Sequence, residues 1–172
     1  MRSVGIDIST KTGVVVLEAT NSKINVLHEE EVSYPALKGM ERADLLSLTV
    51  QKIIKDYNCD SIVLEDYGFG ARKTMIILAE ITTLIRHKLY QNSLDYNLIA
   101  PAQLKKFITG SGKAEKNSIL LNVFKKWGFE AKTDNTADAF GLAMIGLALK
   151  NKLELTQYQK QAIDKISLIK NH

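Results

Sequence analysis

The sequence predicts an α/β fold built on a mixed five-stranded sheet, with three antiparallel strands, two parallel strands and helices on its faces. Three stretches rich in Val and Ile open the chain at residues 3–9, 13–20 and 24–33, and only short polar turns separate them. Turns this short join antiparallel strands into a meander. Beyond residue 38, helical and strand patterns alternate, which is typical of parallel strands connected by helices.

Each later element has its own signal. Helices are predicted where apolar residues recur at helical spacing, and strands where a short apolar run ends at a turn signal. In chain order these elements are a helix over 39–57, a strand over 60–65, a helix over 72–92 and a strand over 96–100. A glycine-rich loop at 67–70 precedes the second helix, and Pro101 ends the last strand. Helical patterns then fill most of 101–170, with a C-terminal helix predicted over 153–170.

The composition fits one soluble domain spanning residues 1–172. A chain of this length can bury a core without disulfides or metal ions, and it contains no internal repeat and only two prolines. The single cysteine, Cys59, cannot form an internal disulfide, which favours a reducing compartment. Asp7 interrupts the apolar start, and no apolar run is long enough to span a bilayer. We therefore expect a cytoplasmic protein that does not bind membranes.

The net charge of +4 conceals an uneven distribution of charge. Residues 1–67 hold 7 basic and 11 acidic side chains, whereas residues 68–132 hold 11 basic and 4 acidic side chains. Nucleic acids respond to such local fields rather than to the total charge. The middle of the chain is therefore a candidate nucleic-acid surface.

Two carboxylates lie in predicted strands that are otherwise apolar. Asp7 follows Val4-Gly5-Ile6, and Glu65 closes the strand Ser61-Ile62-Val63-Leu64. Burying an unpaired carboxylate is costly, so an acid in such a place usually has a partner, a metal ion or a raised pKa. Two simpler interpretations remain, because Asp7 could cap the following turn and Glu65 could be a solvated strand end.

A third acidic site opens the helix that begins near residue 133. Asp138 lies one turn before Leu142, on the face that packs against the sheet. Asp134 and Asn135 precede Asp138 by four and three residues, so either could point at the same spot, although Asp134 is also a natural N-cap. Converging carboxylates require cations, and a pair of Mg²⁺ or Mn²⁺ ions can clamp the attacking water and the leaving oxygen of a phosphodiester. The three histidines do not assemble a competing zinc or triad site.

These motifs together resemble a known family. The segment 5–13, the acid that ends a later strand, the stretches 99–105 and 109–116, and the terminal Asp-x-x-x-Asp-Ala helix resemble the RNase H-like nuclease superfamily. Within it, the RuvC-like Holliday-junction resolvases match best, over residues 3 to about 149. The resemblance implies a homodimeric, Mg²⁺-dependent endodeoxyribonuclease, with Mn²⁺ as a substitute, that resolves four-way DNA junctions by paired symmetric nicks. The compact length would suit a phage or prophage enzyme, and no small-molecule cofactor is expected.

The resemblance also assigns roles to individual residues. Asp7 would bridge two metal ions, with Glu65 and Asp138 as the other principal ligands. The family often has its two C-terminal acids three apart; here that position is Asn135, and we expect Asp134 to be the fourth acid, with Asn135 as a neutral alternative. Lys105 and Lys116 would hold the scissile phosphate, and Phe69 would enter the junction centre. The expected DNA-binding residues are Phe69, Arg72, Lys73, Lys105, Lys106, Lys113 and Lys116.

Alternatives remain for several of these assignments. Each lysine could be an ordinary solvated residue, and Phe69 could anchor its own loop. The helix over 72–92 has an apolar surface wider than a sheet covers, which predicts a second buried face, either at a dimer contact or within the protomer. Competing functions are another RNase H-like nuclease acting on flaps or RNA–DNA hybrids, an actin-like or sugar-kinase-type ATP-binding fragment, and a DNA-binding protein without activity.

Overall fold

Strands from both halves of the chain form one sheet. The computed structural model describes residues 1–21, 23–66, 72–166 and 168–171, except the side chains of residues 72–74 and 116. Within these residues the strands are β1 (Arg2–Asp7), β2 (Lys11–Ala19), β3 (Ile24–Ser33), β4 (Ser61–Glu65), β5 (Tyr96–Ile99) and β6 (Leu168–Ile169). They lie in the order β3-β2-β1-β4-β5-β6.

The described helices lie between and after these strands. They are α1 (Gly39–Asp56), α2 (Arg72–Gln91), α3 (Pro101–Thr109), α4 (Lys116–Trp127), α5 (Asp134–Leu149) and α6 (Gln157–Ile163). One face of the sheet carries α5 together with α3, α4 and α6, and the other face carries α1 and α2. The predicted α/β architecture is confirmed, with a separate apolar core on each side of the sheet.

The strand directions also follow the prediction. β1 and β2 pair antiparallel, as do β2 and β3, while β1 pairs parallel with β4 and β4 with β5. The carboxyl ends of β1, β4 and β5 therefore meet at one edge of the sheet, where ligand sites of open α/β sheets form.

The C-terminal segment differs from the predicted helix over 153–170. Helix α6 covers only Gln157–Ile163, and the chain then adds β6 as a sixth strand, antiparallel to β5. The backbone of Asn171 donates to Asp95 Oδ1 at 2.9 Å, which fixes this strand at the sheet edge. The physical reason is that β5 would otherwise leave its backbone N–H and C=O groups exposed along an open edge.

Two glycines allow α5 to lie unusually close to the sheet. A Cβ on Gly5 of β1 would collide with the carbonyl oxygen of Ala139, and a Cβ on Gly13 of β2 would collide with the carbonyl oxygen of Asn135. Nearly all of α5 is buried as a result, including Ala139. This close packing carries the acidic end of α5 to the edge where β1 ends.

The apolar surface of α2 is covered along one stripe. Ile81, Ile85 and Leu89 are buried in the core that α2 shares with α1, whereas Ile76 is 56% exposed. The described part of α2 therefore has apolar surface that its own protomer leaves open. Among the described residues, no helix is both long enough and apolar enough to cross a bilayer.

Candidate active site

Asp7 and Glu65 lie side by side because their strands are parallel neighbours. Ile6 of β1 is in register with Leu64 of β4, so the next residue on each strand is a carboxylate. Asp7 is only 8% exposed, and Glu65 is partly buried. The strand ends thus hold two acidic groups in a setting where water screens little of their charge.

Asp138 lies beside this pair, on helix α5, which packs against the sheet. Asp7, Glu65 and Asp138 each contribute a carboxylate oxygen, and these three oxygens lie within 4.8 Å of one another. The three residues come from β1, β4 and α5, so the carboxylate cluster exists only in the folded chain. The predicted convergence of these acids agrees with the observed geometry.

The cluster raises the pKa of Glu65 to about 10, far above its ordinary value of 4.5. Burial is the largest cause, followed by the negative charge of Asp7, a hydrogen bond with Asp7 and the charge of Asp138. Without a cation, Glu65 therefore retains a proton at neutral pH. Three close carboxylate oxygens are the hard donors that Mg²⁺ and Mn²⁺ prefer, so the donor set fits a divalent metal ion.

Lys105 lies close enough to the cluster to act on its charge. Its positive charge opposes the rise in the pKa of Glu65. Lys105 lies one turn into α3, which starts where β5 ends, and it is partly buried. Among the predicted basic residues, Lys105 is thus one whose charge acts on the carboxylate cluster.

The other predicted basic residues have different surroundings. The Lys106 Nζ donates to Gln161 Oε1 of α6 at 3.2 Å, which ties Lys106 to the C-terminal segment, whereas Lys113 is exposed. The side chains of Arg72, Lys73 and Lys116 are not among those described, and Phe69 lies outside the described residues.

Asp134 is not brought into the carboxylate cluster. The hydroxyl of Thr133 accepts the backbone N–H of Thr136, so Thr133 is the N-cap and the helix starts one residue earlier than an Asp134 cap would require. Asp134 consequently occupies the first helical turn and is exposed. There its negative charge interacts favourably with the positive end of the helix dipole. Asp134 is not part of the cluster that Asp7, Glu65 and Asp138 form.

Asn135 instead lies over the sheet beside the cluster. Its Nδ2 donates to Glu31 Oε2 of β3 at 2.9 Å. Gly13 of β2 is paired with Asp7 of β1 on one side and with Glu31 of β3 on the other. The backbone of Asn135 lies directly over Gly13, and therefore between these two acidic residues.

Glu29 and Glu31 bond residues at the start of α5, and neither was predicted from the sequence to have a role near the site. Glu29 Oε1 accepts the backbone N–H of Lys132 and the hydroxyl of Thr136, both at 2.8 Å, so β3 anchors the start of α5. Glu29 and Glu31 lie two apart in the run Glu29-Glu30-Glu31, which places them on one face of a strand. This spacing was the signal in the sequence that the two glutamates share one face of β3.

The family of the chain follows from comparison with known proteins. A family model described as crossover junction endodeoxyribonuclease RuvC matches residues 3–146. A relative of that name from Fusobacterium nucleatum is 31% identical over 159 residues, with 89% of this chain and 84% of the relative covered. Another from Carboxydothermus hydrogenoformans is 27% identical over 150 residues, with 85% and 95% covered.

Solved structures show the same fold. The RuvC structure of Thermus thermophilus matches with a TM-score of 0.74 at 19% identity and covers 91% of this chain and 100% of that chain. A second structure, of T. thermophilus RuvC in complex with a Holliday junction substrate, has a TM-score of 0.75 at the same identity. Because the family model spans most of the sequence, and the described chain carries the matching fold, this protein belongs to the crossover junction endodeoxyribonuclease RuvC family.

Proposed function

We propose that this protein is a metal-dependent endonuclease that resolves four-way DNA junctions. The observation that carries the proposal is the carboxylate cluster of Asp7, Glu65 and Asp138, set at the sheet edge of a chain that belongs to the RuvC family. A structure of the T. thermophilus relative is in complex with a Holliday junction substrate. Similarity of fold alone does not identify the substrate. The family and the acidic site together favour a phosphodiester of branched DNA.

The carboxylates are suited to hold Mg²⁺, with Mn²⁺ as a substitute, at two ions per site. Bound divalent ions would supply an activated water and stabilise the charge of the leaving oxygen. Glu65 must first release the proton that its raised pKa retains, so cation binding and proton release are coupled at this residue. Asp138, held by buried helix α5, and Asp7, held within the sheet, keep the spacing of the ligands fixed.

We propose that Lys105 holds the scissile phosphate. Its charge lies near Glu65, at the edge where substrate must enter. A fixed cation there stabilises negative charge that builds up on the phosphate oxygens in the transition state. We also propose that Arg72, Lys73, Lys113 and Lys116 bind the DNA backbone, because such contacts supply affinity and salt dependence.

Paired cuts in opposite strands require two sites, and we propose that a homodimer supplies them. Each protomer has one carboxylate cluster among its described residues. Helix α2 has Ile76 exposed, and neighbouring α1 exposes Leu45 and Leu48, so an apolar surface is available on this face. A second copy covering it would bury that surface.

A panel of branched substrates tests the proposed function. The purified protein is incubated with a synthetic four-way junction, a flap and an RNA–DNA hybrid, each with Mg²⁺, with Mn²⁺ or with EDTA. We expect paired nicks in the junction with either metal, none with EDTA, and much slower cleavage of the other substrates. Preferential cleavage of the flap or the hybrid would contradict junction resolution, and cleavage in EDTA would contradict metal dependence.

A further inference from the structure

Asn135 has a hydrogen-bond partner that fixes the orientation of its side-chain amide. The Asn135 Nδ2 donates to Glu31 Oε2 at 2.9 Å. An ionised carboxylate only accepts hydrogen bonds, so it selects the nitrogen end of the amide and leaves the oxygen end facing elsewhere. A freely rotating amide would present either end, and only the oxygen end can bind a metal ion.

The sheet register places this pair next to the carboxylate cluster. Asp7, Gly13 and Glu31 are paired across three adjacent strands, which puts the Cα atoms of Asp7 and Glu31 about 10 Å apart, given the usual strand spacing. Gly13 has no side chain in the intervening position, and the backbone of Asn135 fills that space. Asn135 also precedes Asp138 by three residues on α5, so the two share a helix face.

Glu31 lies outside the carboxylate cluster. Its side chain is 21% exposed, and its other carboxylate oxygen is 3.9 Å from Lys11 Nζ. Its hydrogen bond to Asn135 joins residues 104 positions apart in the chain. The contact therefore orients a side chain of α5 from the outer strand of the sheet.

We propose that Glu31 is a positioning residue that fixes the Asn135 amide with its Oδ1 toward the metal site, making Asn135 a neutral oxygen ligand. The proposal rests on the proposed function, because it concerns the metal ions of that same site. Partners that orient a ligand without touching the metal commonly change metal affinity by about tenfold or more. Glu31 supplies this orientation from β3, and Asn135 supplies the ligand from α5.

Mn²⁺ binding to the metal-free protein tests the proposal without DNA. Titration calorimetry is carried out on wild type, Glu31→Ala, Asn135→Ala and the double variant, with thermal unfolding in EDTA as the check on folding. We expect Glu31→Ala to weaken Mn²⁺ binding about tenfold. The double variant should bind no more weakly than Asn135→Ala, because Glu31 acts through Asn135. Losses that multiply in the double variant would overturn the proposal.

Two further variants separate positioning from charge. Glu31→Gln has the same charge as Glu31→Ala but keeps an acceptor for Asn135, so we expect its Mn²⁺ affinity to lie between wild type and Glu31→Ala. Equal affinities for the two variants would show a charge effect alone and overturn the proposal. Glu30→Gln is the matched control, because Glu30 bonds His28 rather than Asn135, and it should leave Mn²⁺ binding unchanged. Glu31→Gln also keeps the test decisive if Glu31→Ala does not fold.

Junction cleavage is measured separately, so that failure of the proposed function can be recognised. If wild type binds Mn²⁺ but cuts no junction, the proposed function is wrong. The Mn²⁺ affinities of wild type, the two single variants and the double variant still decide the role of Glu31. If wild type cuts junctions and the losses at Glu31 and Asn135 multiply, only the role of Glu31 is wrong.

Discussion

The carbonyl oxygen of Ala139 on α5 occupies the space that a Cβ on Gly5 of β1 would need. Ala139 follows Asp138, and Gly5 lies two residues before Asp7 on the same strand. The distance between helix and sheet at this point therefore sets the distance between two of the three carboxylates. A glycine in β1 is thus part of the geometry of the acidic site.

Gly5→Ala should loosen the site as well as the fold. A Cβ would force α5 away from the sheet, and overpacking of this kind costs about 1–3 kcal/mol of unfolding free energy. Asp138 would move with the helix, so Mn²⁺ affinity should also fall. Urea unfolding and calorimetry measure the two effects. Gly112→Ala is the control, because its Cβ would meet its nearest atom at 3.0 Å and should cost less. Equal effects of the two substitutions would contradict the role of Gly5.

The raised pKa of Glu65 predicts how stability depends on pH without metal. The folded state keeps this carboxyl protonated up to about pH 10, whereas the unfolded chain releases the proton above about pH 4.5. The folded state thus binds more protons between these values, and its stability falls as pH rises through this window. In EDTA, urea unfolding should give a lower free energy at about pH 9 than at about pH 6.

Glu65→Gln should remove most of this slope, the fall of the unfolding free energy as pH rises, because the amide does not titrate. Added Mn²⁺ should flatten the slope in wild type, since the cation stabilises the ionised carboxylate. A Glu65→Gln variant with the wild-type slope would show that other groups cause the pH dependence.

Lys105→Ala should slow cleavage more than it weakens junction binding. The lysine charge acts on Glu65, and its proposed role is to stabilise the reacting phosphate. Removing one such stabilising group typically lowers kcat by about a hundredfold. Single-turnover cleavage and gel-shift binding separate the two quantities. Lys55→Ala, an exposed lysine in the last turn of α1, is the control. A variant that binds weakly but cuts normally when saturated would assign Lys105 to affinity instead.

Ile76→Glu should convert the proposed dimer to a monomer. Ile76 is exposed on α2, and a buried charge at a dimer contact is costly. Light scattering after size exclusion gives the mass directly. Leu121→Glu on α4 is the matched control, since Leu121 is exposed to a similar degree on the opposite layer. If Leu121→Glu yields a monomer and Ile76→Glu does not, the dimer contact lies on the α4 side.

The sequence was sufficient for the parts of the site that local patterns encode. Asp7 and Glu65 were found because an acid at the end of an apolar strand is unusual, and Asp138 because its spacing places it on a buried helix face. The bounds of β3 were predicted to the residue for a similar reason, as β-branched residues and polar turns define it on both sides.

Other features depend on contacts that are distant along the chain. Thr133 and Asp134 are both good N-caps, and only the bond between Thr133 and Thr136 decides where α5 starts. The packing of α5 on the sheet places Asn135 against Gly13, whereas Asp134 is exposed. Glu29 and Glu31 resemble solvated acids of an edge strand until α5 is packed against them. The two residues of β6 pair with a strand some 70 positions earlier, and a segment so short has no periodicity.

Cleavage of a synthetic four-way junction by wild type, Asp7→Asn and Asp134→Asn tests the carboxylate cluster most directly. Both variants lose one negative charge, but only Asp7 belongs to the cluster. With Mg²⁺ present, we expect wild type and Asp134→Asn to cut at similar rates and Asp7→Asn to leave the junction intact while still binding it. Normal cleavage by Asp7→Asn, or loss of cleavage in Asp134→Asn, would contradict a metal site built from Asp7, Glu65 and Asp138.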